Sequence, residues 1–231
     1  MRDGHPSVGR IGSEGYAVVP GLFVTSELAL MDDAADYLDA HAREKGGGRN
    51  LFQKAPGILA LFKKDAVLDL MRGFLGPGLG IAEGVYLNKG RDANWLVAWH
   101  QDLFISVKEK SEAAGYHSWT EKQGIPYVQP PAEVLGKCLW LRVNLDDNDA
   151  GNGCLRVSPG THLQGKIALE TIPSILASKG ERAVPCKRGE SILFRPLLLH
   201  ASSKSATPSG RRVLQVLYSG FSFDNGLEWP Y

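Results

Sequence analysis

His100 and Asp102 are separated by one residue and follow an apolar, aromatic run over residues 95–98. Such runs are typical of strands, so we expect a buried β-strand here. Because side chains alternate faces along a strand, His100 and Asp102 point the same way and Gln101 points oppositely. An imidazole beside a carboxylate supplies two ligands of the 2-His-1-carboxylate set, which holds non-haem Fe(II) and leaves coordination positions open. The spacing therefore predicts part of an iron site that a second histidine from a neighbouring strand would complete.

His200 is the candidate for that second histidine. It ends the apolar run 197–199 and is followed by small residues. A lone histidine at the end of an apolar strand is more often a hydrogen-bonded core residue than a ligand, and an isolated His-x-Asp pair often consists of two side chains bonded to each other. The metal hypothesis therefore depends on the chain bringing all three residues together.

Arg211 lies downstream of His200, at the start of the strand-like run 211–218. A guanidinium group near a metal would anchor the far carboxylate of a dicarboxylic cosubstrate through a bidentate pair. Arg211 and Arg212 must face opposite sides of the strand, so only one of them can do this.

The composition is that of an ordinary globular protein. The chain has 231 residues, 43% hydrophobic and 22% charged, which is enough for one domain with a sizeable core. A formal net charge of +1 gives no basis for binding nucleic acid or an anionic membrane. No apolar run approaches the ~20 residues that span a bilayer, and the Gly-rich start of the chain has no secretory signal. We expect a small-molecule substrate, and the oligomeric state stays open.

Three cysteines, Cys138, Cys154 and Cys186, are widely spaced and form no CxxC pair. They cannot build a disulfide framework or a zinc knuckle, which favours a reducing, cytoplasmic setting.

The predicted elements change from helices to short strands along the chain. We expect residues 1–14 to be flexible and residues 15–231 to form one domain. A short strand over 16–20 precedes a helix with Thr25 as its N-cap, and Leu28, Met31, Ala35 and Leu38 recur on its apolar face. Its aspartates, Asp32, Asp33, Asp36 and Asp39, indicate a solvated helix face rather than a metal cluster.

Later segments predict a second helix over about 65–75 and a strand from about residue 81. Strands follow at 138–145, 154–157, 190–194, 197–201 and 211–223, with a helical stretch over 169–179. Many short strands after a helical start indicate a mainly β fold with flanking helices, a double-sheet jelly roll.

The segment 103–131 is long and interrupted by glycine and proline. It is too broken for a simple hairpin, and we interpret it as a lid over His100 and Asp102. A disordered surface excursion is the alternative, against which Tyr116 and Trp119 argue, because aromatic residues in a loop usually cover something.

Three motifs resemble the phytanoyl-CoA dioxygenase family of Fe(II)/2-oxoglutarate oxygenases. They are WHQDLF at 99–104, NGCLRVSPGTH at 152–162 and GESILFRPLLLH at 189–200, followed by Arg211. The resemblance covers roughly residues 81–218, and the segment 128–131 is similar to a bacterial-type subgroup whose members mostly lack an assigned substrate. It implies a double-stranded β-helix (jelly roll, cupin-like) fold, with Fe(II), 2-oxoglutarate and O2 as cofactor and cosubstrates.

The resemblance also implies residue roles. His100, Asp102 and His200 would bind iron, and Arg211 would bind the C5 carboxylate of 2-oxoglutarate with help from Ser202. The implied reaction is hydroxylation of an unactivated C–H bond with release of succinate and CO2. Related halogenases carry Gly or Ala in place of the carboxylate ligand, so Asp102 favours hydroxylation over halogenation.

One position departs from the family pattern. Many relatives carry Trp where this chain has Arg142, which would either meet an anionic substrate or pair with a carboxylate at the sheet surface. We expect Arg142 and Asn94 to take part in cosubstrate binding. Candidates for substrate contact, chosen by nearness to the ligands or by lid position, are Lys89, Trp99, Trp119, Gln129 and Trp140.

Two other functions stay open. The same barrel could belong to a cupin-like metalloprotein that does not use 2-oxoglutarate, but such a protein has no need of a carboxylate anchor at Arg211. It could also be a non-catalytic binding module, against which the complete ligand set argues.

Overall fold

A computed structural model describes residues 7–42, 46–90, 93–207 and 210–231. Within these ranges the chain forms antiparallel sheets flanked by helices. The strands are β1 (Tyr16–Val19), β2 (Gly47–Arg49), β3 (Gly80–Lys89), β4 (Val97–His100), β5 (Ile105–Ser106), β6 (His117–Lys122), β7 (Ile125–Gln129), β8 (Cys138–Asn144), β9 (Leu155–Val157), β10 (Arg182–Val184), β11 (Ser191–Phe194), β12 (His200–Ser202) and β13 (Arg211–Ser219).

The helices lie mainly in the first third of the chain. They are α1 (Ser7–Ser13), α2 (Thr25–His41), α3 (Leu51–Lys54), α4 (Leu59–Phe62), α5 (Asp65–Leu75), α6 (Ala132–Gly136) and α7 (Ile172–Lys179), with 3-10 turns at Pro56–Ile58, Thr161–Gln164 and Leu169–Thr171. Among the described residues, no helix combines the length and the apolar character needed to cross a membrane.

The strands form a large sheet, a smaller sheet and a short third one. The large sheet has the order β1-β11-β8-β13-β3-β2, the smaller sheet β10-β9-β12-β4 and the third β5-β7-β6. Neighbouring strands are antiparallel and come from distant parts of the sequence. The predicted mainly β jelly roll with flanking helices is confirmed.

The alternation of side chains along β13 separates two hydrophobic cores. Leu214, Val216 and Tyr218 pack with the apolar faces of α2 and α5, whereas Leu217, on the other face, joins residues of the smaller and third sheets. Both faces of the large sheet are therefore covered, which explains why its strands read as nearly continuous apolar runs. The site lies on the face opposite the helices.

The helix predictions hold with changes at the ends. Helix α5 spans residues 65–75 as predicted, and the four apolar residues of α2 are buried. Thr25 is not the N-cap: α2 begins at Thr25, the preceding Val24 is its N-cap, and the Glu27 carboxylate accepts the Val24 N–H at 2.9 Å. The Glu27 side chain thus satisfies the N–H of the N-cap residue, which is the second half of a capping box.

The aspartates of α2 are more than a solvated face. Asp32 and Asp36 both pair with Arg212, at 3.2 and 2.9 Å, and Asp39 accepts hydrogen bonds from Tyr86 and Asn88. These contacts attach α2 to β3 and β13. Since Arg212 faces the helix, Arg211 faces the other side of the sheet, as strand alternation requires.

The N-terminal segment was expected to be flexible, which is wrong for residues 7–13. They form α1, and Ile11 is buried in the core beneath the helices. Ile11, a contact of His162 with the Gly12 carbonyl and the Gly160 N–H donated to the Glu14 carbonyl hold a segment whose composition indicated a loop. Residues 1–6 lie outside the described ranges.

Three strands near the site differ from their predicted bounds: β4 is shifted by two residues, and β12 and β13 are shorter. The predicted strand over 95–98 is the half-exposed edge strand β4, and the strand over 197–201 is reduced to β12, with residues 197–199 buried ahead of it. Strand β13 ends at Ser219 rather than at residue 223. Residues 197–199, Phe221 and Phe223 pack against the core instead of joining a strand, whereas Leu96 is exposed.

The segment 103–131 is more regular than its composition suggested. Strands β6 and β7 form a hairpin, and β5 pairs with the other edge of β7. Ile105 and Val128 are fully buried against the inter-sheet core. The segment is therefore not a simple hairpin, as expected, but it contains one within a three-stranded sheet and is ordered rather than a disordered excursion.

Candidate active site

His100 and His200 meet because β4 and β12 are neighbouring antiparallel strands with these two residues directly opposite each other. Their ring centroids are 4.2 Å apart. Asp102 follows β4, and its backbone N–H donates to the Pro196 carbonyl at 2.9 Å, which holds the turn after the strand in place. One potential ligand atom of each residue lies within 4.8 Å of the others.

The hydrogen bonds of the two rings assign their tautomers. Nδ1 of His100 lies 2.8 Å from the Ala98 carbonyl, and Nδ1 of His200 lies 2.9 Å from the Leu198 carbonyl. Since a carbonyl only accepts, each Nδ1 carries the proton and each Nε2 keeps a free lone pair. These Nε2 atoms lie 3.6 and 3.5 Å from the carboxylate oxygens of Asp102. Three ligand atoms thus converge on one point.

The charges at this point suit a divalent cation. Burial alone would raise the pKa of Asp102, but the two histidines outweigh it and lower that pKa to about 2. Burial lowers the pKa of His200 to about 4. At neutral pH the carboxylate is therefore ionised and His200 is neutral, which are the states that metal ligands require. The donor set fits Fe(II).

The three residues line a cavity of about 350 Å³ between the large and smaller sheets. Its floor on β3 consists of Glu83, Val85 and Leu87, which alternate with residues of the helix-facing core. Phe194 closes one side, with its ring 5.2 Å from that of His200. The volume is at the small end of the usual range for ligand sites.

One end of the cavity is positively charged. Lys89 on β3 lies opposite Arg211 on β13, and both are buried. Arg211 Nη1 donates to the Gly153 carbonyl at 2.7 Å. Ser202 Oγ donates to that same carbonyl at 2.8 Å and accepts from Lys89 Nζ at 2.7 Å. Arg211 and Ser202, the pair predicted to hold the cosubstrate carboxylate, are therefore fixed by one backbone oxygen.

Arg142 adds a third buried cation, which lines the cavity. Its Nη1 donates to Gln215 Oε1 at 3.1 Å, while Nε and Nη2 have no hydrogen-bond partner among the described residues. Burial lowers the pKa of Arg142 to about 9 and that of Arg211 to about 10. Burial and these two guanidinium groups lower the pKa of Lys89 to about 7. Such a cluster suits anionic ligands.

The opposite end of the cavity holds an ion pair that the sequence did not reveal. Tyr127 donates to Glu83 Oε1 at 2.7 Å, and Arg49 pairs with the same oxygen. Lys122 and Phe104 line the cavity beside them. Glu83 shares its strand face with Lys89, so the alternation along β3 could have indicated it. Nothing in the sequence indicated that Arg49 or Tyr127 would reach this site.

The Gln101 side chain points away from His100 and Asp102 and forms hydrogen bonds with two neighbouring segments of the protein. Its Nε2 donates to the carbonyls of Gly165 and Leu197 at 2.8 and 2.6 Å, and its Oε1 accepts the Ile167 N–H at 2.7 Å. These bonds connect the end of β4 to the segments before β12 and after the 3-10 turn at Thr161–Gln164. Sequence reasoning gave Gln101 no role.

Of the remaining candidates, Trp140, Arg142 and Ser202 line the cavity, and Lys89 reaches it through Ser202. Asn94 does not: it is exposed, and its amide exchanges two hydrogen bonds with the backbone of Ser205.

Three further candidates also lie outside the lining of the cavity. Trp99 packs against Arg156 at 5.3 Å and Trp119 against Lys110 at 5.9 Å, while Gln129 pairs with His117 in the β6–β7 hairpin. Nearness in sequence misled here, because alternate residues of a strand point to opposite faces.

A larger cavity of about 690 Å³ lies between α2, β2 and α3. His41 there stacks on Tyr37 and bonds the Tyr37 carbonyl at 2.8 Å. The cluster of potential metal ligands found among the described residues belongs to the smaller cavity, which is therefore the candidate active site.

Comparisons with known proteins agree with this geometry. Ectoine dioxygenase of Stutzerimonas stutzeri (strain A1501) is 21% identical over 260 residues, covering 97% of this chain and 78% of the relative. The crystal structure of EctD from S. alaskensis with 2-oxoglutarate and 5-hydroxyectoine superposes with a TM-score of 0.75 at 21% identity, covering 99% of this chain and 80% of that one.

The epimerase SnoN from nogalamycin biosynthesis gives a TM-score of 0.71 at 19% identity, covering 92% of this chain and 79% of the other. These structures share the fold. The model of the phytanoyl-CoA dioxygenase (PhyH) family matches residues 12–213. The chain therefore belongs to the phytanoyl-CoA dioxygenase family and is a dioxygenase that depends on Fe(II) and 2-oxoglutarate.

Proposed function

We propose that this protein hydroxylates an unactivated C–H bond of a small molecule, with His100, Asp102 and His200 as the iron ligands. The observation that carries the proposal is that this ligand set shares one cavity with the buried Arg211. When bound, Fe(II) with 2-oxoglutarate and O2 supplies the oxidising chemistry and releases succinate and CO2. The protein supplies position, charge and shielding from water.

Arg211 is proposed to bind the C5 carboxylate of 2-oxoglutarate. Its charge is buried and no carboxylate of the described chain pairs with it, so an anionic ligand offsets the cost of burial. Ser202 supports it through the shared Gly153 carbonyl. A cupin-like metalloprotein that does not use 2-oxoglutarate would have no use for this arrangement.

The segment 103–131 is proposed to act as the lid. Phe104, Lys122 and Tyr127 come from it and line the cavity. A cover of this kind keeps water from the reacting groups. Because lids carry substrate contacts on a common scaffold, this segment is where we expect specificity to reside.

The relatives bear on the kind of reaction. The names ectoine dioxygenase and 5-hydroxyectoine describe oxidation of a small molecule, whereas SnoN is an epimerase and SnoK a carbocyclase on the same fold. Because Asp102 occupies the carboxylate position, hydroxylation is favoured over halogenation. We further propose a cytoplasmic location, since the three cysteines are free and buried, as suits a reducing compartment.

The test is succinate release with Fe(II), ascorbate and 2-oxoglutarate, combined with metal binding. Wild-type protein is expected to release succinate even without substrate, and Arg211→Ala is expected to abolish release while binding metal as wild type does. Lys187→Met, which removes an exposed charge, is the control. Unchanged turnover in Arg211→Ala would remove this residue from the scheme, and metal binding without any turnover in the wild type would favour a binding module.

A further inference from the structure

The charged side chains around the cavity do not balance. The cationic side chains that line it are Arg49, Lys122, Arg142 and Arg211. Lys89 lies opposite Arg211 and reaches the cavity through Ser202. The carboxylates of the described residues that line the cavity are Glu83 and Asp102. The surplus is two to three positive charges, depending on whether Lys89 holds its proton. Fe(II) and the 2-oxoglutarate dianion add equal and opposite charges, so loading the enzyme leaves this surplus unchanged. Lys122 and Arg49 are only half-buried and are screened by solvent, but Arg142 and Arg211 are buried, and their charges favour another anion in the cavity.

The unpaired positive charge can be assigned to Arg142. Glu83 already pairs with Arg49, and Arg211 is taken by the cosubstrate in the proposed function. Arg142 remains: it is only 4% exposed, yet no carboxylate of the described chain pairs with it. Since the cost of an unpaired buried cation is high, its retention points to a ligand that carries the opposite charge.

The hydrogen bonds of Arg142 indicate which ligand fits. Gln215 Oε1 holds Nη1, whereas Nε and Nη2, which form one edge of the planar guanidinium group, have no partner among the described protein atoms. That edge presents two parallel N–H groups, the geometry that binds a carboxylate in a bidentate manner. Gln215 lies opposite Arg142 in the β8–β13 ladder, so the orientation of this edge is fixed by the sheet.

We propose that the substrate of this enzyme is a small carboxylate and that Arg142 binds its carboxylate group through Nε and Nη2. This inference rests on the proposed function and names the substrate class for the same site. The cavity of about 350 Å³ must also hold 2-oxoglutarate, which restricts the substrate to a small molecule.

The experiment uses enzyme loaded with Zn(II), which binds the ligands without turnover, and saturated with 2-oxoglutarate. Butanoate, hexanoate and benzoate are titrated by calorimetry and by thermal unfolding, each against its primary amide. The carboxylates are expected to bind and raise the unfolding temperature, and the amides are not. Equal behaviour of carboxylates and amides overturns the proposal, and stronger stabilisation by inorganic phosphate overturns the choice of a carboxylate.

The decisive variant is Arg142→Met, with Lys187→Met as the control for loss of one charge. It is expected to weaken carboxylate binding by about tenfold to a hundredfold and to change 2-oxoglutarate affinity less than about threefold. The unfolding temperature of the metal-free variant is expected to rise by about 2 to 4 °C, because an unpaired buried charge is removed. A variant that unfolds more easily than wild type contradicts the claim that this charge lacks a partner in the protein.

Two results separate this proposal from the function it rests on. If Arg142→Met loses 2-oxoglutarate affinity and keeps carboxylate binding, Arg142 is a second cosubstrate anchor, so the substrate proposal fails and the oxygenase proposal stands. If the wild-type protein binds neither Zn(II) nor 2-oxoglutarate, both fail.

Discussion

Lys89 lies directly opposite Arg211 on neighbouring strands, and both side chains are buried on the same face of the sheet. Two adjacent cations in a cavity oppose folding, and Lys89 relieves this by a pKa lowered to about 7, through burial first and the guanidinium groups of Arg211 and Arg142 next. The arrangement prepares a strong positive potential where the proposed cosubstrate carboxylate binds.

The first prediction concerns the pH dependence that Lys89 imposes. The pKa of a lysine in an unfolded chain is about 10.4. Between about pH 7 and 8.5 the unfolded chain therefore binds more protons at Lys89 than the folded chain does. The free energy of unfolding of the wild type, measured in urea and compared with Lys89→Met, is therefore expected to increase by about 1 to 2 kcal/mol across that range. An equal pH dependence of both proteins would show that Lys89 keeps an ordinary pKa.

The pH range of this comparison ends at about 8.5 because buried cysteines add a pH dependence of their own. Burial raises the pKa of Cys138 and Cys186 to about 12, whereas an unfolded cysteine titrates at about pH 8.5, so toward and above that pH these thiols lose protons in the unfolded chain and not in the folded one. Their contribution opposes that of Lys89.

The second prediction concerns the metal. His200→Ala and Asp102→Ala are each expected to lower the affinity for Co(II), a spectroscopic substitute for Fe(II), by more than the roughly 10- to 100-fold typical of outer hydrogen-bond partners. His117→Ala is the matched control, because this exposed histidine bonds only to Ser118 among the described residues. Wild-type affinity in His200→Ala would remove the residue from the ligand set.

The third prediction concerns Gly153, which is far from the metal in sequence. Its φ is +75°, and a Cβ there would lie 2.4 Å from the Ser203 carbonyl. Gly153→Ala must therefore shift the carbonyl that orients Arg211 and Ser202. We expect 2-oxoglutarate affinity of the Zn(II) enzyme, measured by calorimetry, to fall about tenfold with metal affinity unchanged.

The control for this variant is Gly226→Ala. Gly226 has a similar φ of +81° with open space around it. Both variants are expected to lose about 1 to 3 kcal/mol of stability from backbone strain, but only Gly153→Ala affects 2-oxoglutarate. Equal loss of affinity in both would mean that strain alone is responsible.

The fourth prediction concerns Gln101. Gln101→Ala removes three hydrogen bonds and leaves an N–H and two carbonyls without a partner, so the free energy of unfolding in urea is expected to fall by about 2 to 4 kcal/mol. Gln129→Ala is the control, since that half-buried side chain makes no hydrogen bond to the described residues, and it is expected to change stability by less than about 1 kcal/mol. Equal effects would show that the bonds of Gln101 contribute nothing specific.

Features that depend on residues close together in the sequence could be predicted, and features that depend on contacts between distant residues could not. The Gly-Pro-Gly turn at residues 76–78 predicted where α5 ends, and strand alternation predicted that Arg211 and Arg212 lie on opposite faces of the sheet. The fold class followed from the number and spacing of strands. These features are local, and local patterns are what one sequence contains.

The features that the sequence did not predict depend on tertiary packing. Arg49 and Tyr127 join Glu83 from segments far away in the chain, and no periodicity marks such a meeting. Asn94 was expected near the cosubstrate but binds the backbone of Ser205, 111 residues away in a loop, and no local pattern predicts such a contact. The helix at residues 7–13 was missed since its stability comes from burying Ile11, not from helix propensity.

Strand β4 is the outermost strand of its sheet and is held there by β12 alone among its described neighbours. An ion bound by His100 and His200 would join these two strands a second time, through side chains rather than backbone. Amide hydrogens of residues 97–100 should then exchange with solvent much more slowly in the metal-loaded protein than in the apoprotein. The cation would thus stabilise the edge strand of this sheet in addition to its part in the oxidation.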